Sequence, residues 1–308
     1  MRFDVTHLTV YDWGAPAPVA DCRLRLSPIE RRRQKVHLSR LAFDPEPDHV
    51  VDEVDWFGNH VTRIAFRAPH SRLTLRSTAT VTVEPMPALD PLLSPPWEEV
   101  AAHAALSRSL APDDPVQFVF PSRLVALTPA VTRWTAEIFP PGRPILEAVL
   151  ALNARIHAEF RYAPGVTDVA TPLARVFEEK RGVCQDFAHV MIAGLRGLGL
   201  PAAYVGGYLR TLPPPGKPRL EGADAMHAWV EVWCGPSLGW IGFDPTNAVL
   251  ASDDHIVVAF GRDYADTAPV IGILSSSGEQ GLAVSVDVVE VPAPITGLAG
   301  AEFAAPPA

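Results

Sequence analysis

The chain has 308 residues, 48% of them hydrophobic and 20% charged, which excludes wholesale disorder and allows a large buried core in about two domains. Its net charge of −9 argues against a general nucleic-acid binder, because neutralising phosphates needs a basic surface. The basic residues between Arg23 and Arg40 (Arg23, Arg25, Arg31, Arg32, Arg33, Lys35, Arg40) lack interleaved aromatics for base stacking and read as a solvated strand face and loop.

Residues 1–88 alternate apolar and polar positions in short runs, such as Leu73-Thr74-Leu75 and Thr80-Val81-Thr82-Val83, broken by Pro, Gly and Asn. Period-two runs between such turns predict antiparallel strands and an N-terminal β-sandwich. Pro85, Pro87, Pro91, Pro95 and Pro96 then mark a stiff connector and a domain boundary near residue 88. Apolar spacings of three and four predict helices over 97–110, 128–139 and 144–160. Thr171 as N-cap, Pro172 at the first helical position and Gly182 at the exit bound a short helix to Lys180. A second helix starts at Cys184 and stops at Gly199-Leu200-Pro201, with Phe187, Ala188, Met191, Leu195 and Leu198 on one face.

A buried strand follows over 202–209, then an exposed loop at Pro213–Pro218. Residues 226–233 alternate, with His227, Trp229, Glu231 and Trp233 on one face, and pair with 240–244 as a hairpin. A turn centred between Gly235 and Pro236 would set His227 directly opposite Asp244. Strands at 256–259 and 282–292 complete a second domain over 89–292, and 293–308 reads as a frayed tail.

Three scattered cysteines, Cys22, Cys184 and Cys234, do not make a disulfide framework and fit a cytoplasmic protein. No apolar run has the length of a membrane span, and the N-terminal residues lack a signal-peptide core, so no membrane association is expected.

Cys184, His227 and Asp244 carry the chemistry. The thiolate is the nucleophile in thiol catalysis, and the start of a helix favours an anion through its unpaired N–H groups and dipole. The same N–H groups can receive an oxyanion. An imidazole oriented by a carboxylate takes the thiol proton and returns it to the leaving amine. Singly, each residue is as ordinary as a buried cysteine, a strand histidine or an Asp-Pro turn; the joint spacing is what raises them together.

His189 lies off the cysteine face of its helix and reads as structural. Trp229, Trp233 and Trp240 serve either a groove wall or the core. Asp186 reads mainly as a helix-start charge, and the 261–266 loop as structural. No Cys-x-x-Cys pair or close histidine spacing points to a metal.

The runs Gly182-Val183-Cys184-Gln185-Asp186-Phe187-Ala188, His227-Ala228-Trp229 and Asp244-Pro245-Thr246 resemble, in order and spacing, the three core motifs of the transglutaminase-like superfamily. Thr6–Tyr11, Leu24–Pro28 and Asp55–Asn59 resemble the β-rich N-terminal region of its bacterial members. The resemblance implies an α+β fold: an antiparallel β-sandwich followed by a papain-like core in which the nucleophile helix packs on an antiparallel sheet.

It also implies Cys184 as nucleophile, His227 as base and Asp244 as orienting acid. Gln185, Tyr162 and Trp229 are the candidates for oxyanion or substrate contacts. Bacterial members are described as cysteine proteases or peptide-amide hydrolases, and animal ones cross-link glutamine to lysine, commonly with calcium. With no Asp-x-Asp-x-Asp-Gly loop present, a cofactor-free, metal-independent hydrolase of peptide or protein amides is the favoured expectation. An amine acyltransferase and a non-catalytic binding module on the same fold stand as alternatives. Oligomeric state leaves no signal in the sequence.

Overall fold

The computed structural model describes residues 1–17, 20–211, 222, 224–274 and 280–292. The expected exposed loop at Pro213–Pro218 and the tail 293–308 lie outside the described residues. In chain order the N-terminal strands are β1 (Arg2–Ala17), β2 (Ala20–Leu24), β3 (Gln34–Asp44), β4 (His49–Val54), β5 (His60–Phe66) and β6 (His70–Val83). The helices α1 (Trp97–Leu106), α2 (Pro129–Ala136) and α3 (Ile145–Glu159) follow, then β7 (Arg161–Tyr162), α4 (Leu173–Glu179), β8 (Arg181–Gly182) and α5 (Cys184–Gly197). The chain continues through β9 (Ala202–Leu209), β10 (Ala225–Trp233), β11 (Trp240–Asp244), β12 (Val249–Leu250), β13 (His255–Gly261), α6 (Tyr264–Thr267), β14 (Val270–Leu274) and β15 (Gln280–Glu290).

Two four-stranded sheets, β15-β1-β6-β3 and β14-β2-β5-β4, face each other across Trp13, Cys22, Leu24, Ile64, Phe66, Leu73 and Leu75. This is the sandwich read from residues 1–88, with an addition from far along the chain. β15 pairs with β1 and β14 with β2, both antiparallel. By hydrogen bonding they belong to the N-terminal sheets, although the sequence pattern groups all of 89–292 with the second half.

β1 is long enough to serve two cores. Its odd-numbered residues point one way: Phe3 and Val5 pack against Tyr208, Ile256 and Val258 of the second half, while Trp13 packs inside the sandwich. His7 and Thr9, between them, are buried yet polar. His7 Nδ1 lies 3.1 Å from the Tyr208 hydroxyl, Thr9 Oγ1 lies 3.0 Å from His7 Nε2, and the Tyr208 hydroxyl donates to the Leu26 carbonyl at 3.1 Å. That chain of bonds satisfies groups that burial would otherwise leave unpaired.

The second half is a five-stranded antiparallel sheet, β12-β11-β10-β9-β13, with α5 laid across β9 and β10. α5 was read as one-faced, but everything from Asp186 to Arg196 is buried, because the sheet, α2, α3 and α4 enclose it. At its C-terminal end Arg196 donates to the carbonyls of Ala202, Phe120 and Arg262 and to Ser122 Oγ. Among the described residues no helix is long and apolar enough to cross a membrane.

The caps of α4 differ from expectation. The Thr171 hydroxyl donates to Asp168 Oδ1 at 3.0 Å and accepts the Asp168 N–H at 2.9 Å, so it is spent on its own turn and Pro172 takes the cap position. The exit is Lys180 in a left-handed conformation (φ 50°), not Gly182. Its ammonium is 4.0 Å from the Phe177 ring centre, 4.3 Å from Trp134 and 4.4 Å from Phe160, contacts that hold a lysine where glycine is usual.

Candidate active site

Cys184 opens α5 at partial exposure, its N–H among the first-turn groups that a helix cannot satisfy internally. The approach to it is rigid. Asp186 Oδ2 accepts the Val183 N–H at 2.8 Å and the Thr167 hydroxyl at 2.7 Å, so this side chain orients the loop as well as supplying charge near the helix start. Burial raises its carboxyl pKa, and those two bonds oppose the rise.

A Cβ at Gly182 would come within 2.5 Å of Asp186 Oδ2, which is why glycine stands there. Gly182→Ala is expected to displace Asp186, cost on the order of 1–3 kcal/mol and slow alkylation of Cys184. Thermal melting and iodoacetamide kinetics measure the two effects, and no change in either would show that the loop yields.

His227 on β10 and Asp244 at the end of β11 share a sheet face, but not as direct opposites. The ladder pairs Trp233 with Trp240 and Val230 with Phe243, which centres the turn between Pro236 and Ser237. That is one residue beyond the expected centre, so every partner moves by two and the face is preserved. His227 and Asp244 therefore meet diagonally, with Nε2 and Oδ2 2.8 Å apart.

With Nε2 engaged by Asp244, Nδ1 is the ring nitrogen left to exchange a proton. Burial lowers the His227 pKa, but the bond to Asp244 and the nearby Cys184 outweigh burial and push it up to about 9. His227 thus holds its proton at neutral pH.

Asp244 is 0% exposed and accepts five hydrogen bonds. Oδ1 takes the N–H groups of Thr246 (2.9 Å) and Asn247 (3.2 Å), and Oδ2 takes His227, the Asn247 amide (2.7 Å) and His255 Nε2 (3.2 Å). Burial alone would raise this carboxyl; the donors, led by His227 and His255, hold it well below the usual carboxylate range.

His255 escapes sequence reasoning, because a lone histidine at the start of a strand carries no motif. Its Nδ1 accepts the Ser252 N–H at 3.4 Å, which leaves Nε2–H directed at Asp244. The three groups His227, Asp244 and His255 keep their ligand-type atoms within 4.8 Å of one another, a spacing that could also suit a metal ion. Here both imidazoles aim at one carboxylate oxygen, so hydrogen bonding accounts for the cluster.

The other predicted site residues are placed unequally. Trp229 is 1% exposed and packs on the rings of His227 (6.3 Å) and His255 (5.1 Å), bracing the imidazoles instead of lining an open groove. Tyr162 is 53% exposed and meets the Phe187 ring edge-on at 6.4 Å; burial, with Cys184 adding to it, raises its pKa. Gln185 is half-buried beside the nucleophile. His189 is structural: its Nε2 accepts the Tyr264 N–H at 3.2 Å, and burial lowers its pKa to about 4.

Residues 132–245 match the transglutaminase-like superfamily, and residues 3–82 match the bacterial transglutaminase-like N-terminal region. An uncharacterized protein of Mycobacterium tuberculosis is 40% identical over 296 residues, covering 94% of this chain and 92% of its own. A protein-glutamine gamma-glutamyltransferase of Pseudomonas aeruginosa is 40% identical over 75 residues, 24% of this chain and 11% of that protein. In fold, a Cytophaga hutchinsonii protein proposed to be a cysteine protease superposes with a TM-score of 0.73 at 22% identity, over 96% of this chain and 92% of that one. The chain therefore belongs to the transglutaminase-like superfamily and carries the N-terminal region of its bacterial members.

Proposed function

We propose that this protein is a cysteine-dependent amide hydrolase acting on peptide or protein substrates through a Cys184-His227-Asp244 triad, without a cofactor. The observation that carries the reading is the 2.8 Å bond between His227 and Asp244 on strands β10 and β11, with the helix that opens at Cys184 packed across β10. The sulfur of Cys184 attacks the carbonyl carbon, the C–N bond breaks, and His227 gives its proton to the departing amine. Water, losing a proton to His227, then cleaves the thioester and releases the carboxylic acid. The first-turn N–H groups of α5 are the oxyanion donors in this reading, and Tyr162, in ring contact with Phe187 of the same helix, is a candidate to add its hydroxyl. All three cysteines are free, which fits the reducing cytoplasm.

Alkylation tests the nucleophile. Cys184 is partly exposed, whereas Cys22 and Cys234 are buried, with burial pushing Cys22 up to about 11 and Cys234 higher still. Iodoacetamide at pH 6 is expected to label Cys184 first and to abolish peptide-amide cleavage in step; uniform slow labelling of all three would defeat the reading. The partial similarity to a gamma-glutamyltransferase favours one second reading, in which an amine resolves the thioester. A labelled primary amine in the assay separates the two by the ratio of amide adduct to free acid.

A further inference from the structure

A groove of about 760 Å³ opens where β2, the β4–β5 turn, the segment 116–123 and α6 meet. Its lining carries Arg23, Arg25, Arg123 and Arg262 against two carboxylates, Asp55 and Asp266. Asp55 is taken by Arg25 at 3.1 Å and Asp266 by Arg262 at 2.8 Å. Arg23 and Arg123 are exposed and have no ion-pair partner among the described residues. On a molecule of net charge −9, this concave surface is locally positive.

Trp56 is 57% exposed and Phe120 59% exposed in the same groove. Trp56 Nε1 donates to Gln117 Oε1 at 3.0 Å, which fixes its ring as a wall. Exposed large aromatics beside unpaired guanidinium groups are the residue types that dominate binding hot spots. The site is also preformed: Arg196, on the nucleophile helix, donates to the carbonyl of Phe120 on one wall (3.1 Å) and to that of Arg262 on the other (2.6 Å). α6 links the groove to the helix that opens at Cys184, since Ala265 and Asp266 line the groove while the Tyr264 N–H donates to His189 of α5 at 3.2 Å.

We propose that this groove binds an acidic segment of the substrate polypeptide, remote from the bond that Cys184 attacks. Carboxylate side chains of the segment pair with Arg23 and Arg123, and an aromatic or aliphatic side chain packs between Trp56 and Phe120. This inference rests on the amide-hydrolase reading and names its substrate class. A carboxylate matches a guanidinium fork in shape and charge. A nucleic acid fits less well, because its backbone needs a run of phosphate contacts and two of the four arginines here already hold carboxylates.

Full-length Cys184→Ala protein tests the proposal by fluorescence polarisation. The probes are a fluorescein-labelled peptide with glutamates on both sides of a phenylalanine, its glutamine counterpart, and a labelled oligothymidylate. The glutamate peptide is expected to bind, with the glutamine peptide roughly tenfold weaker and added salt narrowing the gap. Arg23→Gln combined with Arg123→Gln is expected to erase the preference at an unchanged melting temperature. Equal affinity for the two peptides, a preference that survives the double variant, or tighter oligothymidylate binding would overturn it. Because the nucleophile is absent from this assay, failure of the triad reading leaves the binding result standing, and cleavage by the unmodified enzyme reports on the triad separately.

Discussion

Asp244→Asn is expected to lower kcat/KM on the order of ten-thousandfold, the scale on which a mis-set imidazole tautomer costs a triad enzyme. Both oxygens of Asp244 accept only: Oδ2 from His227, Asn247 and His255, Oδ1 from two backbone N–H groups. An amide nitrogen in either position sets a donor against donors. His227 then relaxes to the tautomer with an unprotonated Nε2, and its Nδ1–H faces the sulfur where a base is required.

The unaltered enzyme is expected to lose rate as His227 deprotonates near pH 9, and because the same change removes the largest influence raising that pKa, the loss should move to lower pH. Steady-state kinetics against pH measure both effects, and a loss below about tenfold would mean that the imidazole works without the carboxylate. His255→Ala, which removes one of the five bonds, is expected to lower kcat about ten- to a hundredfold with KM held, and His255→Gln to recover part of it.

Folding stability is expected to peak near pH 6.5 and to fall on both sides. His7 and His189 are 3% and 6% exposed and each pairs as a neutral ring: His7 Nε2 meets the Thr9 hydroxyl, and His189 Nε2 accepts a backbone N–H. Burial lowers both pKa values to about 4. Between pH 6.5 and 4 the unfolded chain therefore binds protons that the folded one refuses, and stability drops by on the order of 3 kcal/mol for each histidine. His227 has the opposite sign. Its folded value of about 9 lies above the unfolded one, so its contribution is complete below pH 6.5 and disappears as pH rises through 9.

The Asp244 bond is the same interaction seen from the carboxylate, and its share is lost only in strong acid. Urea melts from pH 4 to 10 trace the profile. His7→Gln with His189→Gln should flatten the acid side alone, and Cys184→Ala should shift the alkaline side to lower pH. A flat profile between pH 4 and 6.5 in the unaltered protein would show that neither histidine is held neutral.

The three superfamily motifs were legible because each lies in a short contiguous run, and the helix beginning at Cys184 was legible from its start and stop residues. What escaped was set by distant partners. The hairpin register depends on the detailed path of the Cys234–Gly239 turn, which composition does not encode, so the meeting of His227 and Asp244 was right in face and wrong by two positions. His255 reaches Asp244 only through the order of strands in the sheet. β14 and β15 join sheets begun far earlier in the chain, and such pairing leaves no local mark. The Thr171 and Gly182 caps failed for the reverse reason, because local hydrogen bonds and an aromatic cage for Lys180 overrode ordinary preferences.

Because β15 lies alongside β1, with Phe3 opposite Glu290, the outer edge of β1 waits for a strand from far along the chain before it is covered. During synthesis at the ribosome the sheet begun by β1 thus carries an open flank until β15 has emerged. A chain cut short before residue 280 would leave that flank available to whatever strand it met.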